Sequence, residues 1–142
     1  GDELTFPERS NPPTNESPEL KWTGVPMGSK SLAVVFRDLG NDAIKWIIWD
    51  IPPDVTHLPP NISKVAMPPE VPGSSQLGSL NNQGWAGPGS GARQYDFKVW
   101  ALDVAKLPVT RGQTTAEIHR DVLPAHDIAV SEPVFVRNTR NL

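Results

Sequence analysis

The densest group of residues able to do chemistry is the segment Gly84-Trp85-Ala86-Gly87-Pro88-Gly89-Ser90-Gly91, followed closely by Arg93 and Tyr95. Glycine lets backbone N–H groups approach a ligand and adopt positive φ, so such a run can cradle an anion. The same composition suits a flexible loop joining two strands, which is the commoner use of clustered glycine. It is not a Walker loop, because no Gly-Lys-Ser/Thr follows and the next element reads as a strand. Arg93 and Tyr95 are two apart and share a strand face. A guanidinium can grip a phosphate or carboxylate through two N–H groups, and a phenol can add a further donor. The bland alternative is a strand-end Arg in water beside a core Tyr. Asp38 closes the apolar series Leu32, Val34, Phe36 and either reaches into a cleft or starts a turn, as Asp before Gly-Asn commonly does. Lys45 could stand close to Asp38 across that turn; as a surface ion pair this would contribute at most about 1 kcal/mol.

Other chemistries find little support. His57, His119 and His126 are scattered, match no metal-ligand spacing and read as surface residues. No Gly-x-Ser-x-Gly elbow occurs, and Gly89-Ser90-Gly91 lacks its spacing. With no cysteine, thiol catalysis, disulfides and Cys-based metal sites are excluded. The expectation is therefore a non-enzymatic protein without a cofactor or metal.

These residues need elements to hold them. A chain of 142 residues fits one domain, residues 1–142, and its 37% hydrophobic content with five Trp suffices for a core. Sixteen Pro and eleven Gly disfavour helix interiors and point to an all-β fold. The net charge of −3 comes from mixed acids and bases with no basic stripe, so a nucleic-acid partner is not expected. No apolar run approaches the roughly 20 residues needed to cross a bilayer as a helix. The opening Gly-Asp-Glu looks like a trimmed chain or a mature exported one, and the compartment stays open.

Residues 1–16 are expected to be an extended N-terminal segment. Strands are expected over 31–38, where both faces are apolar, and over 44–51, joined as a hairpin or crossing to another sheet. Residues 52–84, with seven Pro, read as one long loop. A third strand is expected over 95–103 and a last one over 128–137, with Pro133 marking an edge or bulge. Thr114 and Glu117 match a capping box for one short helix near 114–123, ended by Pro124.

Several strings resemble, in one collinear order, the phosphatidylethanolamine-binding protein family and especially its bacterial, Raf kinase inhibitor-like branch. Ser17-Pro18-Glu19-Leu20-Lys21-Trp22-Thr23-Gly24-Val25-Pro26 is similar to its Ser-Pro-x-Leu-x-Trp-x-Gly-x-Pro, and Trp46 to Pro52 to its His-Trp-Val-x-x-Asn-Ile-Pro. Gly84-Trp85-Ala86-Gly87-Pro88, Arg93-Gln94-Tyr95-Asp96-Phe97 and Trp100-Ala101-Leu102-Asp103 resemble Gly-Tyr-x-Gly-Pro, His-Arg-Tyr-x-Phe and Tyr-Ala-Leu-Asp. The resemblance spans about residues 17–137. It implies a β-sandwich with one short C-terminal helix and a surface pocket for a small anion or phospholipid headgroup. Binding and regulatory roles are implied rather than catalysis. The pocket would comprise Asp38, Lys45, Trp46, Gly87, Pro88, Arg93 and Tyr95. Departures fall at that pocket: Asp-Pro-Asp has become Asp38-Leu39-Gly40, and Lys45 and Arg93 stand where the family has His. Either the pocket has degenerated and the domain is a protein-interaction module acting through the 52–84 loop, or two imidazoles have become two permanent cations that still favour anions.

Overall fold

The computed structural model describes residues 16–80, 82–87 and 93–138. The expected N-terminal segment falls almost wholly outside them. In chain order the elements are β1 (Leu20–Lys21), β2 (Ser31–Asp38), β3 (Ile44–Ile51), β4 (His57–Leu58), β5 (Ser75–Gly78) and β6 (Arg93–Leu102). A short helix α1 (Thr115–Glu117) continues into a π turn, Ile118–Val122, and a 3-10 turn, Leu123–Ala125. Strands β7 (Asp127–Val130) and β8 (Val134–Asn138) follow.

Six strands form one antiparallel sheet in the order β5-β3-β2-β6, with β7 and β8 both pairing along the far side of β6. β1 and β4 form a separate two-stranded pair. The chain is thus all-β with one short C-terminal helix, as its proline content and strand periodicity lead one to expect. The second layer is small: two-residue strands and loops supply it.

Period-two alternation builds two cores on the two faces of the large sheet. Leu32, Val34 and Phe36 of β2, Trp46, Ile48 and Ile51 of β3, and Tyr95, Phe97, Val99 and Ala101 of β6 pack beneath Leu20, Trp22, Leu58, Ile62, Val71 and Trp85. Ala33, Val35, Ile47, Trp49, Trp100 and Leu102 face the other way, against Leu107, Ile118, Val122 and Leu123. β2 is covered on both sides, as its doubly apolar sequence requires. β2 and β3 form the hairpin.

Two expectations need correction. The 52–84 stretch is not one structureless loop, because it holds β4 and β5. Ser75-Gln76-Leu77-Gly78 carries no β-branched or aromatic residue, so nothing local announces a strand. It forms because β3 offers it a free edge. The expected last strand is two strands. Between them Ser131 substitutes for a ladder residue: its N–H donates to Val99 O at 2.9 Å and its Oγ accepts from Val99 N at 2.9 Å. Pro133, lacking an N–H, lies in the break.

The capping box forms as expected. Thr114 Oγ1 accepts from Glu117 N at 3.1 Å, and Glu117 Oε1 accepts from Thr114 N at 3.0 Å. Pro124 does not end the helical stretch outright: it sits near the start of the final 3-10 turn, Leu123–Ala125, where a missing N–H costs nothing.

A candidate anion pocket at the Asp38 end of the sheet

Asp38 is the last residue of β2 and the register partner of Tyr95 on β6. Backbone bonds lock this corner: Asp38 N donates to Ala43 O and Leu39 N to Gln94 O, both at 2.9 Å. Asp38 is only 3% exposed, and its Oδ1 accepts from Gly40 N at 2.8 Å. Asp38 therefore starts the turn, and it does so as a buried acid.

Trp46 and Lys45 owe their directions to a β-bulge. Phe36 pairs with Trp46 while Arg37 pairs with Ile44, which leaves Lys45 as the extra residue of β3. Without it Ile44 and Trp46 would share a face; with it they enter opposite cores. Lys45 is half-buried at this kink. The expected ion pair with Asp38 does not form, and the Lys45 ammonium has no hydrogen bond or ion pair with any described residue.

Trp46 is fully buried and donates from Nε1 to Gln76 Oε1 at 2.9 Å. Trp85 meets it edge-on, with centroids 5.3 Å apart, and stacks on Phe36 at 4.6 Å. Phe36 also stacks on Tyr95 at 5.1 Å and on Phe97 at 4.6 Å. Each such pair adds roughly 0.5–1.5 kcal/mol beyond area burial. Trp85 Nε1 is buried and has no acceptor among the described residues. A buried indole N–H without a partner is costly, of order 1–3 kcal/mol, and is where an incoming acceptor would be rewarded.

Gly84 belongs to the packing here. A Cβ on it would lie 2.8 Å from the Lys64 Cα and 3.2 Å from Gln76 Nε2. The start of the glycine run is thus pressed against the 63–65 backbone, which neither the cradle nor the loose-loop reading anticipated. Gly87 is half-buried. Pro88 lies outside the described residues, and Arg93 is described only as the β6 residue opposite Asn138. Asp38, Tyr95, Trp46 and the Trp85 loop come together through one aromatic cluster, with Lys45 at the bulge beside Trp46.

Gln76 and Trp85 are the residues sequence reasoning underrated. Gln76 joins Trp46 to the proline-rich segment, since its Nε2 also donates to the carbonyls of Ser63 and Val65. A buried Gln in an unrecognised strand leaves no local sign. Trp85 stood in the glycine run, where only its partners reveal its use.

The histidines lie elsewhere. His57 is exposed and 2.8 Å from Glu19, whose carboxyl the bond to His57 holds below its ordinary range. His126 Nδ1 lies 2.9 Å from Asp103. His119 corrects the surface reading: it packs edge-on against Trp100 at 5.9 Å, and burial, then Arg37 and Lys98, lower its pKa. Burial raises the Asp50 carboxyl against the opposing Leu107 N–H, which donates to Asp50 Oδ1 at 2.8 Å. No group of three or more His, Cys, Asp or Glu able to hold a metal occurs among the described residues. Nor is any helix among them long and apolar enough to cross a membrane.

Residues 2–131 match the family model described as phosphatidylethanolamine-binding protein. The UPF0098 protein YbcL of Escherichia coli K12 is 36% identical over 132 residues, covering 85% of this chain and 72% of that protein. A UPF0098 protein of Methanothermobacter thermautotrophicus is 38% identical over 94 residues, covering 63% of this chain and 62% of its own length. The crystal structure of E. coli YbcL, described as a new member of the mammalian PEBP family, superposes with a TM-score of 0.67 at 30% identity, covering 94% of this chain and 85% of that one. The Chlamydia trachomatis protein CT736 shares the fold at a TM-score of 0.74 and 23% identity, covering 98% and 97%. Matched over most of its length by the family model and sharing the fold with YbcL, the chain belongs to the phosphatidylethanolamine-binding protein family.

Proposed function

We propose that the protein is a non-catalytic binding protein that takes a small anion or a phospholipid headgroup at the Asp38–Tyr95 end of the sheet. The pocket residues are Asp38, Lys45, Trp46, Gly87, Pro88, Arg93 and Tyr95. The observation that carries this reading is Lys45, a half-buried residue at the bulge next to Trp46 whose ammonium has no acidic partner among the described residues. Trp85 Nε1, buried and without an acceptor among the described residues, is a second candidate donor. Family membership supports a binding role in general. Lys and Arg stay charged where His titrates, so affinity for an anion of fixed charge should vary little between about pH 5.5 and 8.

Calorimetric titration with acetate, phosphate and phosphoethanolamine tests this, with acetate measured near both ends of that range. Binding is expected, with acetate affinity changing less than about threefold and Lys45→Ala weakening it roughly tenfold, the worth of one charge-assisted hydrogen bond. No heat with any of the three, or Lys45→Ala indistinguishable from the parent, removes the reading.

One feature favours the second reading, a protein-interaction module acting through residues 52–84. Val65 and Met67 are exposed there, on a segment pinned by Ser63 N to Glu70 Oε1 at 3.2 Å and by Gln76. Changing both to Ser in the same titrations leaves anion binding intact while removing capture of a partner protein, if that reading holds.

A further inference from the structure

A cleft of about 510 Å³ lies away from the Trp46–Trp85 cluster, where the edge of the sheet meets the start of the helix. Ala43 and Ile44 open it from β3, Leu77 to Leu80 form one wall, and Gly112 to Ala116 form the other, with Gln83 at the side. Ile44 and Leu77 belong to the second core, so the cleft opens on the opposite face from the anion pocket. Its volume falls within the range of small-molecule sites, roughly 300–1,000 Å³.

Three features define what it can hold. First, none of the twelve lining residues carries a formal charge. A charged group entering it would gain no counter-ion from the walls, whereas a neutral one needs none. Second, hydrogen-bonding capacity is left over. Gln113 Oε1 accepts from Thr110 N at 2.8 Å, but its NH2 group has no partner among the described residues, and neither has the Gln83 amide. Third, the walls are fastened. Thr115 Oγ1 donates to Ile44 O at 2.7 Å, tying the helix to β3, and the Thr114–Glu117 box holds the first turn.

The cleft does not suit an added strand, although β5 is the edge of the sheet. The outward N–H groups of Gln76 and Gly78 already donate to Ala66 O and Asn82 O, both at 2.9 Å. An extended peptide would find those donors taken. At the rim stands Leu80, 92% exposed and with φ of 56°, a left-handed conformation that is costly for a branched apolar side chain. A strained, exposed Leu at the mouth of an uncharged cleft is consistent with apolar contact to an occupant.

We propose that this cleft is a second binding site, for a small neutral molecule with an apolar body and an amide, carbonyl or hydroxyl end held by Gln83 and Gln113. The site is independent of the anion pocket. The fluorescent probe N-phenyl-1-naphthylamine, which is uncharged at neutral pH, tests it on the full chain. Saturable enhancement is expected, displaced by octanamide at least tenfold more effectively than by octanoate near pH 8. Phosphate in excess should leave it unchanged, so failure of the anion pocket and failure of this site are read separately. Ala116→Trp, which places an indole in the cleft, should weaken probe binding at least tenfold. Leu80→Asn, a residue at ease at positive φ, should weaken it about threefold without lowering Tm. Absence of saturable enhancement overturns the proposal. So does octanoate competing as well as octanamide, or Ala116→Trp binding like the parent at unchanged circular dichroism. A concentration-dependent dimer abolished by Ala116→Trp would assign the cleft to a second copy of the chain instead.

Discussion

The two faces of the six-stranded sheet are made by the same strands, yet they solve burial differently. On one face Phe36, Trp46, Trp85, Tyr95 and Phe97 form a continuous aromatic cluster beneath loops and a two-residue-stranded second layer. On the other, aliphatic residues with Trp49 and Trp100 lie under a helical turn, and Arg37 pairs with Asp96 at 3.3 Å nearby. The aromatic face gets little regular structure as cover, so its cover is tied down by side-chain hydrogen bonds such as those of Gln76. The helical face is covered by an element that satisfies its own backbone and can tolerate polar groups, His119 among them, at its margin. The lesson is that a β-sheet's face needs a cover whose backbone polar groups are satisfied. A helix meets that need by itself, and a loop needs buried polar side chains to do so.

The largest effect should come from removing the centre of the aromatic cluster. Phe36→Ala is expected to cost about 3–5 kcal/mol in urea unfolding, against about 2 kcal/mol for Ile118→Ala within the helical cover. If Ile118→Ala proves the more damaging, the helical face is the main support of the fold and the comparison reverses.

Gln76→Ala comes next. It strips the acceptor from Trp46 Nε1 and a donor from the carbonyls of Ser63 and Val65, and should cost about 1–3 kcal/mol. Near-ultraviolet circular dichroism should report a changed Trp environment, whereas far-ultraviolet signal should hold. A loss within about 0.5 kcal/mol, the range of an ordinary surface change, would show that the loop cover is held by packing alone.

The smallest effect belongs to His119 on the helical face. Burial against Trp100 favours its neutral form, so the folded pKa lies below the ordinary 6.5. That contribution to stability is present above the unfolded pKa and is lost as pH falls through the folded value. His119→Gln should therefore lower Tm slightly near pH 7.5 and narrow the gap to the parent as pH falls toward about 5. Asp50 works in the other sense: its carboxyl is raised by burial, so its contribution is present below the ordinary Asp value and fades as pH rises through the folded one. Parallel Tm-versus-pH curves for parent and His119→Gln would mean that the folded state accommodates the imidazolium.

Much of this molecule follows from its local sequence. Leu32, Val34 and Phe36 alternating with Ala33 and Val35 announce a strand buried on both faces. Thr114 and Glu117 announce a helix start, and the collinear strings announce the family. These are readable because alternation and capping act between residues one to four apart, where the chain itself brings the groups together. The rest was decided by long-range closure. The register that makes Lys45 a bulge, with Phe36 opposite Trp46 but Arg37 opposite Ile44, depends on how two strands slide together. Strand β5 exists only because β3 has an open edge, and the final strand breaks around Ser131 because β6 sets where the ladder resumes. The indole N–H of Trp85 lacks an acceptor among the described residues for the same reason: which groups surround its ring is settled by Phe36, Trp46 and Phe97, residues distant in sequence. Sequence alone determined which strand residues are inside; tertiary structure decided which polar groups are left without a partner among the described residues, because satisfaction of a donor is a property of all its neighbours and not of the residue that carries it.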